Sequence, residues 1–226
     1  MMTTDGNNHI YLLDTKWLED EELFAAWYQK MPPERRQKTD RFRFAKDQRL
    51  SLGAGILLYH ALSQAGIGEN MLSYGENGKP FLAGRSDLCF NLSHSGQVAA
   101  CAVSERPVGI DIEGKRHFDE SLIRYVFLEP EIVWIENHFE DADAGYTALW
   151  TMKESLMKNW GTGISLGPKK ICMDMNEPIR AQCEEYPSEK LFFTWFAIED
   201  YQLTVCSEYK GFSGEPEWFI PMVGRQ

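Results

Sequence analysis

The chain has 226 residues, of which 43% are hydrophobic and 25% charged, a composition that excludes disorder, collagen-like repeats and a coiled coil and leaves one large domain or two small ones. Its 34 acidic and 23 basic residues give a net charge of −11, which argues against nucleic acid or an anionic membrane as a partner. Five cysteines (Cys89, Cys101, Cys172, Cys183 and Cys206) form no C-x-x-C pair, so reduced thiols in a cytoplasmic protein are expected. No apolar run approaches the ~18 residues of a membrane span, and residues 1–8 lack the basic-then-apolar form of a signal peptide.

In chain order, residues 9–13 read as a first short strand, and residues 19–30 carry Leu23, Phe24 and Trp27 at helical spacing. Met31-Pro32-Pro33 breaks that helix, and Pro33 with Glu34 opens the next. Between Arg35 and Arg49 stand seven basic residues against Asp40 and Asp47, a local excess of five positive charges in an acidic chain. Such an island suits a compact polyanion better than a long nucleic-acid track, although charge alone also describes a solvated helix face. Residues 46–64 predict a long buried helix, with Leu50, Leu57, Leu58 and Leu62 on one face and Gly53, Ala54 and Gly55 permitting close packing; residues 66–70 stop it.

A turn at 75–80 precedes expected strands at 88–92, 98–103 and 108–113. Helices follow at 122–127, 131–139 and 146–160, then strands at 169–175, 191–198 and 202–206. Residues 211–226 hold Trp218 and Phe219 and are expected to dock on the body. Each half runs strand, short helix, proline-marked break, long helix, strands. Asp14 of Tyr11-Leu-Leu-Asp14 stands where Asp111 does in Gly109-Ile-Asp111, a hint of internal duplication.

Three segments carry candidate chemistry. In Val108-Gly-Ile-Asp-Ile-Glu113, strand periodicity sets Asp111 and Glu113 on one face, where two carboxylates suit Mg²⁺ or simply face solvent. In Trp150-Thr-Met-Lys-Glu-Ser-Leu-Met-Lys158, Glu154 and Lys158 lie together at i and i+4: a surface ion pair, or a metal ligand or base beside a phosphate contact. Asn77-Gly-Lys-Pro80 and Phe90-Asn-Leu-Ser-His-Ser95 offer a turn and then a hydroxyl and an imidazole at a strand end, each a weak signal alone. Rival motifs fail: there is no G-x-x-x-x-G-K-[ST], G-x-S-x-G or H-E-x-x-H. The S-x-x-K of Ser155 to Lys158 has neither of its partner motifs.

Taken in order, Gly78-Lys-Pro80, Phe90-Asn-Leu-Ser-His-Ser95, Val108-Gly-Ile-Asp-Ile-Glu113 and Trp150-x-x-Lys-Glu-Ser-x-x-Lys158 resemble the signature of the Sfp-type 4′-phosphopantetheinyl transferases. The resemblance implies an α+β fold of two similar tandem halves, a pseudo-dimer with the active site in the cleft between them. The first half, 1–106, would hold the basic helix and the coenzyme A 3′-phosphate and adenine side. The second, 107–226, would hold the metal site, the catalytic helix and a tail packing back.

The implied reaction moves the phosphopantetheine arm of coenzyme A onto a serine of an apo acyl, peptidyl or aryl carrier protein and releases adenosine 3′,5′-bisphosphate. By motif position, Asp111, Glu113 and Glu154 hold Mg²⁺, with Mn²⁺ as a substitute, and Glu154 is the base. Lys158 binds the pyrophosphate, which makes Glu154, Lys158 and Asp111 the catalytic set. Ser93 and His94 contact phosphates, Asn91 is a further coenzyme A-binding residue, Lys79 and Pro80 border the adenine, and Arg35, Lys38, Lys46 and Arg49 read the 3′-phosphate. The implied enzyme is a cytoplasmic monomer that binds neither nucleic acid nor membrane. A coenzyme A phosphohydrolase using the same carboxylates, a non-catalytic coenzyme A- or carrier-binding module, and a ligand-free scaffold are the competing readings.

Overall fold

Strict alternation of apolar side chains explains the centre of the molecule. In strand β1 (His9–Asp14), Ile10 and Leu12 point to one face and Tyr11 and Leu13 to the other, and all four are buried. Strand β5 (Val98–Ser104), buried along its whole length, divides in the same way and pairs antiparallel with β1 and with β4 (Cys89–Ser95). A second sheet sets β6 (Val108–Gly114) antiparallel to β10 (Tyr201–Ser207), which pairs with β9 (Phe192–Ile198). The structure, a computed structural model, describes residues 8–68, 72–74, 79–208, 210, 212 and 214–222; the turn residues 75–78, with Asn77 and Gly78, lie outside them, as do residues 69–70 at the expected helix stop and residues 1–7 and 223–226 at the ends.

The architecture is α+β, with a shared apolar layer between the two sheets. Ile10, Leu12, Val98, Ala100 and Ala102 meet Ile110, Ile112, Leu203 and Val205 there. The outer face of the first sheet is covered by α1 (Glu21–Lys30) and α3 (Ala45–Gln64). That of the second is covered chiefly by α6 (Ala142–Trp160), with α4 (Glu120–Val126) and α5 (Glu129–His138) around it.

Local chemistry sets the boundaries. Asp20 and Asp141 cap α1 and α6 by accepting backbone N–H bonds. Pro33 opens α2 (Pro33–Asp40). Gly66, at φ +67, ends α3 with Ile67 N–H bonded to the Leu62 carbonyl. Among the described residues no helix is long and apolar enough to cross a membrane.

Several expectations shift. Residues 15–19 form a 3₁₀ turn before α1, and residues 168–170 another, so the strand expected at 169–175 shrinks to β7 (Cys172–Asp174), paired with β8 (Arg180–Gln182). Short strands β2 (Leu72–Tyr74) and β3 (Pro80–Leu82) pair antiparallel, so Pro80 of the expected turn at 75–80 belongs to a strand. Strand β4 runs on to Ser95, so Ser93 and His94 lie within a paired strand rather than at its end. The tail docks: β11 (Glu217–Trp218) runs parallel to β1, Phe219 packs on the first core, and the buried indole of Trp27 donates to the Pro221 carbonyl, 3.1 Å away.

Candidate active site

The two sheets meet where β4 runs beside β6, and the join is made by side chains. Asn91 Oδ1, Ser93 Oγ and Ser95 Oγ, alternate residues of β4, accept from the backbone N–H of Ile110 (2.9 Å), Ile112 (3.4 Å) and Gly114 (3.2 Å). The opposite alternation on β6 turns Ile110 and Ile112 into the shared core and Gly109, Asp111 and Glu113 toward α6. Helix α6 lies directly on that strand: a Cβ on Gly109 would fall 1.9 Å from the Ser155 carbonyl oxygen. This close approach is the physical reason for a glycine before Asp111.

A cavity of about 490 Å³ opens above this seam. Its lining brings together Arg35 and Lys38 from α2, Lys79, Pro80, Asn91, Ser93 and His94, the carboxylates Asp111, Glu113 and Glu154, and Lys158. Lys46 and Arg49 are not in the lining; Lys46 is exposed, and Arg49 Nη2 lies 3.5 Å from Glu19 Oε1. The basic helix α2 has almost no apolar face, and tethers hold it in place. Thr39 and Ser51 share a buried 3.1 Å hydrogen bond, Tyr28 donates to Asp40, and the Arg35 stem lies over Gly55.

At the centre, Lys158 Nζ is 2.6 Å from Asp111 Oδ1 and donates to Ser93 Oγ at 2.9 Å, while Ser93 donates to the same Oδ1 at 2.8 Å. Asp111 is 4% exposed, and its Oδ2 is buried with no hydrogen-bond partner. Burial, with the charges of Asp111 and Glu113, pushes the Glu154 carboxyl up to about 7, against a smaller opposing pull from Lys158. Burial also raises Glu113, again helped by Asp111, although its hydrogen bond from Ser95 works the other way. His94 sits at the rim, where desolvation by the cavity walls and the charges of Lys158, Lys38 and Arg35 hold its imidazole below the ordinary range.

Three carboxylates against the single cation of Lys158 leave an excess of negative charge, and with one orphaned buried oxygen they fit a divalent cation whose remaining ligands come from water and phosphate. Among the described residues no three His, Cys, Asp or Glu side chains are grouped so as to hold a metal ion by themselves, so a Mg²⁺ here would depend on phosphate and water for its remaining ligands.

A family model described as 4′-phosphopantetheinyl transferase superfamily matches residues 107–206, and one described as 4′-phosphopantetheinyl transferase, N-terminal, matches residues 15–106. A 4′-phosphopantetheinyl transferase of Bacillus subtilis is 30% identical over 200 residues, covering 86% of this chain and 88% of the relative. The chain belongs to the 4′-phosphopantetheinyl transferase superfamily. The Sfp transferase of Bacillus subtilis (strain 168) is 28% identical over the same coverage, and the gsp transferase of Aneurinibacillus migulanus is 30% identical across 83% of this chain and 81% of its own length.

Within this transferase the signature residues divide their work. Lys153, the lysine before Glu154, is fully buried and donates to Glu131 Oε2 at 2.7 Å and to the carbonyls of Val126, Pro168 and Ile171. It ties α6 to the elements around it. Lys79 donates to the carbonyls of Val108, Lys158 and Asn159 and so caps the end of α6, leaving its stem and Pro80 beside the cavity. Phe42 and Trp150 also line the cavity. Trp150 carried a signal as the head of its motif, and Phe42 carried only its place inside the basic island. Ser95 closes the Phe90-Asn-Leu-Ser-His-Ser95 motif but had no role legible there, because the partner that gives it meaning, Glu113, lies on another strand.

Proposed function

We propose that the cavity binds coenzyme A and that the chain transfers the 4′-phosphopantetheine arm to a serine of an apo acyl, peptidyl or aryl carrier protein, releasing adenosine 3′,5′-bisphosphate. One observation carries the reading: the cations Arg35, Lys38 and Lys158 share a single cavity with Asp111, Glu113 and Glu154. On this reading Arg35 and Lys38 take the 3′-phosphate, with Lys46 and Arg49 further out on the same basic island. Lys79 and Pro80 border the adenine, and Asn91, Ser93 and His94 form the wall along the phosphates.

Asp111, Glu113 and Glu154 are the residues that would hold Mg²⁺, or Mn²⁺ in its place. When bound, the ion neutralises the pyrophosphate and polarises the phosphorus under attack. Glu154 accepts the proton of the carrier serine as its oxygen bonds to the phosphorus that carries the pantetheine arm. The bond from that phosphorus to the bridging pyrophosphate oxygen breaks, and the electron pair leaves on the nucleotide 5′-phosphate. Lys158 offsets the charge that develops there.

The chain reads as two tandem halves, 1–106 and 107–226, with the cavity in the cleft between them. Matching topologies support this: β1 pairs with β5 and β5 with β4, as β6 pairs with β10 and β10 with β9, each time around three intervening helices. A cavity complete within one chain supports a monomer, and five free cysteines suit the cytoplasm.

The test is to incubate the protein with coenzyme A, Mg²⁺ and a panel of apo carrier proteins and weigh the carriers intact. One phosphopantetheine arm per carrier, lost with EDTA, is the expected result. Hydrolysis of coenzyme A with no carrier gain would replace this reading with a phosphohydrolase.

A further inference from the structure

The join between the sheets does more than close them. Ser93 and Ser95 are alternate residues of β4, and Asp111 and Glu113 are alternate residues of β6, so each serine faces one carboxylate. Ser93 donates to Asp111 Oδ1 at 2.8 Å and Ser95 to Glu113 Oε2 at 2.7 Å. Each hydroxyl also accepts a backbone N–H from the residue after its carboxylate, Ile112 or Gly114. A hydroxyl that accepts from the strand and donates to its carboxylate is fixed in direction, and so is the carboxylate oxygen it holds. At Asp111 this leaves Oδ2 without a partner.

The second pair has its own brace. The Tyr201 hydroxyl accepts from the Gln97 backbone N–H at 3.1 Å and lies 2.4 Å from where a Cβ on Gly96 would stand. The same edge of the ring, at Cε1 and Cδ1, packs beside Gly114. Gly96, at φ +60, therefore keeps the turn after Ser95 pressed on the second sheet, which holds Ser95 opposite Glu113.

We propose that Ser95 is a positioning residue that binds one oxygen of Glu113 so that the other is presented to the divalent cation and the pyrophosphate of coenzyme A. This rests on the transferase reading of the cavity. Supporting partners of this kind change metal affinity or activity by roughly 10- to 100-fold when removed.

The experiment measures Mn²⁺ binding directly by calorimetry in the presence of coenzyme A, alongside carrier modification. Variants are Ser95→Ala, Ser95→Thr, which keeps the hydroxyl, and Glu113→Ala. Ser95→Ala should weaken Mn²⁺ by about 10-fold, raise the metal concentration for half-maximal transfer in step, and leave the KM for coenzyme A within about twofold. Ser95→Thr should restore the Mn²⁺ affinity. Unchanged Mn²⁺ affinity in Ser95→Ala, with loss in Glu113→Ala, overturns the proposal while leaving the site intact. Equal weakening of Mn²⁺ and coenzyme A in Ser95→Ala, not rescued by threonine, also overturns it, because it marks a general opening of the seam. If Glu113→Ala binds Mn²⁺ normally, the role of Ser95 falls with that ligand. If the unmodified protein with coenzyme A binds no Mn²⁺, the reading of the cavity itself fails.

Discussion

Glu154 is a carboxyl held near neutrality by burial and by two like charges, Asp111 and Glu113, and that state has consequences for rate and for stability. A divalent cation held beside Glu154 would favour its carboxylate, so the transfer rate should rise with pH along a limb lying below the metal-free value of about 7. Glu154→Gln should lower kcat by about 10²–10⁴ and abolish the rising limb, while coenzyme A still binds. A turnover assay across pH 5.5–8.5 checks both. The stability effect has the opposite sense. The folded protein holds this proton up to about pH 7, whereas the unfolded chain releases it in the ordinary glutamate range. The folded state therefore binds more protons over that window, and stability falls as pH rises through it. Without metal, Glu154→Gln should raise Tm at pH 8 and leave it nearly unchanged at pH 4. A Tm no higher than that of the unmodified protein at pH 8 would mean that the carboxylates do not repel one another in this way.

At the scale of elements, α6 on β6 is the contact on which the site depends, and two glycines of one strand test it. A methyl at Gly109 would stand 1.9 Å from the Ser155 carbonyl oxygen and 2.5 Å from the Asn159 nitrogen, both backbone atoms that cannot rotate away. At Gly114 it would meet only the Tyr201 ring, at 3.5 Å. Gly109→Ala should cost about 3–5 kcal/mol, lowering Tm by several degrees or more, and Gly114→Ala about 1 kcal/mol or less. Thermal melts of the two variants decide it; equal losses would mean that α6 can lift from β6 at little cost. Elements with strong local periodicity were legible from sequence: β1, α3, β5 and β6 begin and end within a residue of their expected bounds. Pairings between distant segments were not. The 3₁₀ turns, β8 and β11 have too few residues for a period. The role of Ser95, the capping by Lys79 and the buried pairing of Lys153 with Glu131 appear only once strands far apart in the chain are adjacent. For the candidate site, the residue types and their motif order were readable, whereas which basic residues line the cavity was not, because helical phase and tethering decide that.

For the whole molecule, the relevant quantity is the contrast between a net charge of −11 and an island with five excess positive charges. A field set by net charge would repel coenzyme A, and added salt would then tighten binding by screening the repulsion. The cavity lining sets Arg35, Lys38, Lys79 and Lys158 against Asp111, Glu113 and Glu154, so the acidic excess of the chain lies outside it. Because screened interactions fade beyond about 8–10 Å at roughly 0.1–0.15 M salt, the nearby cations should win. Coenzyme A affinity is therefore expected to weaken as salt rises from 50 to 300 mM. Arg35→Ala with Lys38→Ala should lower that affinity by about tenfold or more, a loss near 1.4 kcal/mol, and flatten the salt dependence. The same pair of substitutions should hardly affect 3′-dephospho-coenzyme A, since the anion those side chains read is missing from it. Calorimetric titration of both ligands at two salt concentrations gives all of these numbers. Equal losses for the two ligands would move the 3′-phosphate away from α2 and toward Lys46 and Arg49, the part of the island outside the cavity lining.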